Sequence, residues 1–148
     1  EKMKEVMPET IFSNVSFVGS TALADELKLI NPKLGAGVIV TQVVPPVDSY
    51  STAVLKYKEA LARIAPGENP DFVSLEGYLG ANLLAEGLRR AGRDLDTEKL
   101  VDALEGMSAH DLGVGVSVSF NSLDHQSIHK VWGTVLDDTG HYQALDLD

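Results

Sequence analysis

Cysteine is absent from the 148 residues, which removes disulfides, thiolate catalysis and Cys-ligated zinc together. Basic residues are scarce. Twelve Lys and Arg against 22 Asp and Glu leave a net charge of −10, and nucleic-acid binding needs clustered cations, so DNA and RNA are excluded as partners. The acidity reads as a solvated surface. No apolar run approaches the ~20 residues that cross a bilayer, and no loop alternates Asp and Asn ahead of a closing Glu as a Ca²⁺ site would. A Gly-x-Ser-x-Gly elbow and a phosphate-cradling glycine loop are both missing. Of the four histidines, His110, His125, His129 and His141, the pair His125/His129 has zinc-compatible spacing but no third ligand at recognisable distance. No catalytic residue, metal ligand or cofactor is expected. The start, EKMKEVMPET, has neither an initiating Met nor an apolar signal segment, so a processed chain or an excised piece is expected.

What is present is enough apolar material, 44% of residues, for one or two compact units. Residues 15 to 19, VSFVG, read as a strand ending in a turn, and Thr21 to Ile30 follow with helical spacing at Ala24, Leu27 and Ile30. GVIVTQVV is a β-branched run with polar residues only at Thr41 and Gln42, the pattern of a strand covered on both faces, and Pro45 and Pro46 stop it. Tyr50, Val54, Tyr57, Leu61 and Ile64 define one face of an amphipathic helix ended by Pro66 and Gly67. Ser74 is placed as N-cap of the next helix, with an inward stripe of Tyr78, Ala81, Leu84/Ala85, Leu88 and Ala91 and a stop at Gly92. Its internal glycines, Gly77, Gly80 and Gly87, cost roughly 1 kcal/mol each relative to Ala. They mark places where another backbone or a ligand comes close, or are tolerated by packing. Asp96 caps a shorter helix with Leu100, Val101 and Leu104 inward, closed by Gly106. GVGVSVSF alternates as a strand with one buried face, and Ile128 to Leu145 read as two strands joined by Asp137-Asp138-Thr139-Gly140.

GVIVTQVVPP, SLEGYLGANLLAEGLRRAG, DTEKLVDALEGM and GVSVSF…HKVWGTVLDDTGHY, taken in that order, resemble the type I periplasmic binding proteins, in particular the leucine/isoleucine/valine-binding branch serving ABC importers. The resemblance covers essentially the whole chain but only the C-terminal portion of the family's length. It implies an α/β fold of which this is a C-terminal fragment: two lobes, each a three-layer sandwich with a Rossmann-like parallel sheet, joined by three hinge crossings. Residues 1 to 44 would belong to the second lobe, 45 to 50 to a hinge crossing, and 51 to 120 to first-lobe helices and a strand. Residues 121 to 127 would form another crossing and 128 to 148 the second lobe's closing hairpin. The three helices would then lack most of their sheet, and an isolated chain is expected to dimerise or exchange segments.

By the same resemblance, a small amino acid or related carboxylate solute would bind between the lobes near the loop Gly19-Ser20-Thr21. Relatives place there a carboxylate that holds the ligand's ammonium; the matching residue here is Thr21, whose hydroxyl cannot neutralise a buried cation. Ser20 and Thr21 also suit helix N-capping. Tyr78 matches a position where the family often turns an aromatic toward the cleft, with a core tyrosine as the bland reading. Glu76 joins it as a candidate, or serves only the helix dipole. The expected ligand-binding set is thus Ser20, Thr21, Glu76 and Tyr78. The expected partners are a small-molecule ligand and a membrane permease, and the expected location is periplasmic or extracellular. A ligand-sensing regulator or receptor module of the same fold is the alternative.

Overall fold

A computed structural model describes residues 2–18 and 20–147. The chain divides into two compact units, one formed by Glu1–Pro46, Asp71–Val73 and Val131–Asp148, the other by Val47–Pro70 and Ser74–Lys130.

The first unit is a four-stranded mixed sheet in the order β1-β2-β5-β6. After a short helix, α1 (Lys2–Val6), come β1 (Ser13–Val15), a 3-10 turn over Ser16–Val18, and α2 (Ser20–Ile30). β2 (Ile39–Gln42) runs parallel to β1, and α2 provides the crossover that a parallel pair requires. β5 (Trp132–Leu136) pairs antiparallel with β2, and β6 (Tyr142–Leu145) with β5. The first strand therefore lies earlier than VSFVG suggests: Ser16 to Val18 coil into a turn, Phe17 is fully exposed, and Gly19 lies outside the described residues. The expectation that β2 is covered on both faces also needs correction. Val40 and Gln42 are buried, but Ile39 and Thr41 on the other face are only partly so. α2 turns Ala24 inward while Ile30 remains exposed.

Helices dominate the second unit. α3 (Thr52–Ile64) is capped by Ser51, whose side chain accepts the Val54 N–H, and buries Ala53, Val54 and Tyr57. Ile64 and Tyr50, expected on the same face, are 77% and 91% exposed. α4 begins at Phe72, so Ser74 is an interior residue and not its N-cap; Phe72, directly after Pro70-Asp71, is already helical, and its buried ring meets Tyr142 edge-on. The inward stripe is corrected as well. Leu75, Leu79 and Gly87 are buried, whereas Ala81, Leu84, Ala85 and Leu88 are exposed. α4 (Phe72–Ala91) carries apolar rows on two sides, and periodicity alone cannot choose between them. The chosen side holds Gly87, where an added Cβ would come within 2.7 Å of Leu104. Gly77 and Gly80 face open space. α5 (Thr97–Glu105) is capped by Asp96, whose carboxylate accepts the Lys99 N–H at 2.8 Å, and ends at Gly106. Val101, placed inward from the sequence, is 37% exposed.

GVGVSVSF yields a strand of only two residues: β3 (His110–Asp111) pairs with β4 (Ser117–Val118). Gly113 and Gly115 adopt positive φ and turn the chain where a longer strand would run. The burial rhythm survives, with Val114 and Val118 inside beside Met107.

Candidate functional site

In the first unit, the start of α2 is tied to the sheet by a buried polar network. Ser20, Gln42 and Thr134 are each at most 1% exposed. Gln42 Nε2 donates to Ser20 Oγ at 2.7 Å and to Thr134 Oγ1 at 3.3 Å, and Thr134 Oγ1 donates to the Val40 carbonyl at 2.7 Å. From the other side, Tyr142 Oη donates to the Ser20 carbonyl at 2.9 Å. Partial burial pushes the Tyr142 phenol up to about 12. Thr21, next in sequence, is exposed in the first turn of α2. That turn also presents amide N–H groups that no intrahelical carbonyl can reach, an arrangement suited to an anionic group.

In the second unit, Tyr78 is half-buried, its ring 5.7 Å from that of Tyr57. Tyr57 Oη in turn meets Ser74 Oγ at 2.5 Å. Tyr78 lines a cavity of about 220 Å³ with Lys56, Asn82, Glu86, Arg89, His110 and Asp111 among its walls. Glu86 is held below the usual carboxylate range, first by its hydrogen bond from Arg90 at 2.8 Å, with Arg89 adding to it. Glu76 is exposed. Two residues apart on a helix, Glu76 and Tyr78 point to different sides and do not form one constellation.

The 121 to 127 segment contains a tight turn closed by a bridge between Asn121 and Asp124. His129 pairs with Asp124 at 3.0 Å and His125 with Glu105 at 2.9 Å, both histidines exposed and both carboxylates partly buried. Asp124 is lowered chiefly by the Gln126 N–H and then by His129. Among the described residues no group of three or more His, Cys, Asp or Glu is placed to hold a metal, and no helix is long and apolar enough to cross a membrane.

Sequence reasoning noted Gln42 only as a polar interruption and gave Tyr142 no role. An amide inside a β-branched run was the available signal, because such a group must find partners in the core.

A family model described as "Periplasmic binding protein" matches residues 11–141. No curated relative matches. Among solved structures, a possible leucine/isoleucine/valine-binding protein from Rhodopirellula baltica is 30% identical with a TM-score of 0.85, over 98% of this chain and 38% of that one. A substrate-binding periplasmic protein from Ralstonia solanacearum is 23% identical with a TM-score of 0.80, over 97% and 40%. A branched-chain amino acid ABC transporter structure from Thermus thermophilus with bound valine is 16% identical with a TM-score of 0.71, over 98% and 47%. The chain thus spans less than half the length of these structures while nearly all of it is matched. With the mixed α/β topology and the family match in agreement, the chain belongs to the periplasmic binding protein family and carries a portion of its type I fold.

Proposed function

We propose that this chain is part of the solute-binding component of an ABC importer, working in the periplasm or outside the cell and delivering a small amino acid or related carboxylate solute to a membrane permease. The observation that carries this reading is the 30% identity, over 98% of the chain, to a possible leucine/isoleucine/valine-binding protein. The valine-bound Thermus thermophilus structure supports the same solute class. Within the chain, exposed Thr21 and the α2 first turn suit a carboxylate, and buried Ser20 anchors that turn. In the second unit, half-buried Tyr78 offers a ring that can cover an apolar side chain. The role is binding without turnover.

The test uses the protein as its gene encodes it. A panel of branched-chain and other small amino acids, short peptides and carboxylates is screened by thermal denaturation. A true solute at one hundred times its Kd contributes about 2.7 kcal/mol, a shift of several degrees. Thr21→Ala and Tyr78→Ala should reduce that shift without lowering the ligand-free melting temperature by a comparable amount. A panel that shifts nothing, while a nucleotide does, would overturn the assignment. For the isolated 148 residues, exposed Ile64, Leu84 and Leu88 support self-association. Sedimentation should show a dimer; a monodisperse monomer at high concentration would refute that part.

A further inference from the structure

The cavity beside Tyr78 is lined wholly by residues of the second unit, and its walls carry charges of both signs. Lys56 belongs to α3 and Asp111 to β3. Both line the same space of about 220 Å³, yet among the described residues no ion pair joins Lys56 to a carboxylate. Asp111 Oδ1 accepts the Gly113 N–H at 2.7 Å, which orients the carboxylate and leaves Oδ2 for another donor. The two walls are tied together, since the Ala53 N–H at the start of α3 donates to the Gly113 carbonyl at 3.0 Å. By contrast, the remaining charges are already satisfied: Glu86 takes both Arg89 and Arg90.

Buried Ala53 and Leu79, with the half-buried Tyr78 ring, add an apolar portion to the lining. A simple anion would be drawn to Lys56 and repelled by Asp111, and a simple cation the reverse. A molecule carrying both charges satisfies both walls. The volume holds about seven waters at ~30 Å³ each, which suits a solute the size of a small amino acid and excludes a nucleotide. We propose that this cavity binds a small zwitterion of the α-amino-acid class, its carboxylate on Lys56, its ammonium on Asp111 and its apolar side chain against the Tyr78 ring. The inference shares Tyr78, and the choice of an amino acid as probe, with the solute-binding reading above. It draws nothing from Ser20 or Thr21, so the two can fail separately.

L-Valine is titrated calorimetrically into the protein as its gene encodes it. Lys56→Gln removes the positive charge, and Asp111→Asn removes the negative one while keeping an oxygen for the Gly113 N–H. The titration should show an event whose Kd rises about 5-fold in each variant, the upper range for a charge pair at a solvated rim. Thr21→Ala should leave that Kd within about 2-fold. Two truncated probes read the charges one at a time. Isovalerate, which keeps the carboxylate, should respond to Lys56→Gln and not to Asp111→Asn; isobutylamine, which keeps the ammonium, should do the reverse. Both should bind the wild type at least about 5-fold more weakly than L-valine. No binding of L-valine, or a Kd that neither variant changes, would overturn the proposal. So would isovalerate binding as tightly as L-valine, the mark of a plain anion site. Binding weakened by Thr21→Ala alone would remove this site and leave the solute reading standing, whereas binding weakened only by Lys56→Gln and Asp111→Asn supports this site against a role for Thr21. Lys56 and Asp111 are both exposed, and the truncated probes test the same point on the unsubstituted protein should either variant fold poorly.

Discussion

Alanine placed singly at Gly77, Gly80 and Gly87 distinguishes the packed side of α4 from the open one. A glycine in a helix interior is less favourable than alanine by about 1 kcal/mol, chiefly through backbone entropy. At Gly77 and Gly80 an added Cβ meets nothing within 4 Å. Each substitution should therefore show the full gain, raising the melting temperature by about 2–4 °C for a chain of this size. At Gly87 the new methyl would lie 2.7 Å from Leu104 Cδ2, 3.2 Å from its Cγ and 3.3 Å from Leu100 Cδ1. Leu104 must shift while Leu100 restricts where it can go, and overpacking of this kind costs about 1–3 kcal/mol, enough to cancel or reverse the helix gain. Gly77→Ala and Gly80→Ala should thus exceed the wild type and Gly87→Ala should not, a spread of about 1–3 kcal/mol. Urea titration followed by circular dichroism measures it, with a constant m-value as the check that only stability changed. An equal gain at all three positions would refute the packing of α5 on α4. A loss at Gly80 would show that another surface packs closely against the open face in solution.

At Gly133 an added Cβ would stand 2.5 Å from the Leu145 carbonyl oxygen of the paired strand, a backbone atom that cannot rotate away. Gly133→Ala should therefore destabilise by about 1–3 kcal/mol or more in chemical denaturation. The Tyr142 phenol, raised to about 12, contributes stability that is complete below its unfolded value near 10 and disappears as pH climbs from about 10 to 12. Tyr142→Phe should be less stable at neutral pH and show a flatter alkaline limb in pH-dependent melts. Asp137 accepts the His141 N–H, the Thr139 hydroxyl and N–H, and the Gln143 amide, which hold it far below the usual carboxylate range. Its contribution is present above the unfolded value near 4 and is lost as pH falls below it, so Asp137→Ala should flatten the acid limb of the same melts.

Elements with hard punctuation were readable in the sequence. Asp96 as a cap, Gly67 and Gly106 as stops, and the Asp137 to Gly140 turn all act through local chemistry. Misreadings occurred where tertiary contacts chose between local options. α4 offers two apolar rows, and only the approach of Leu104 to Gly87 selects one. The valines after Gly113 alternate as a strand would, yet two positive-φ glycines turn the backbone. At the candidate site, Thr21 stood out through family resemblance, but the anchor behind it did not. Ser20, Gln42 and Thr134 are separated by 22 and 92 residues, and hydrogen bonds over such distances leave no periodic trace.

The order of strands also has a kinetic side. β2 waits between a partner it can reach early and one it cannot: β1 is nearby across α2, whereas Val40 and Thr134 are 94 residues apart. Closing a loop of that length costs roughly 4 kcal/mol in chain entropy before any pairing is gained. The whole of Val47–Pro70 and Ser74–Lys130 lies within that loop. During synthesis the helical segment can therefore collapse while β2 still exposes one edge, and the strands from Val131 onward, which emerge after it, close the sheet. Until they arrive, that edge of Ile39–Gln42 is open to pairing with another nascent copy.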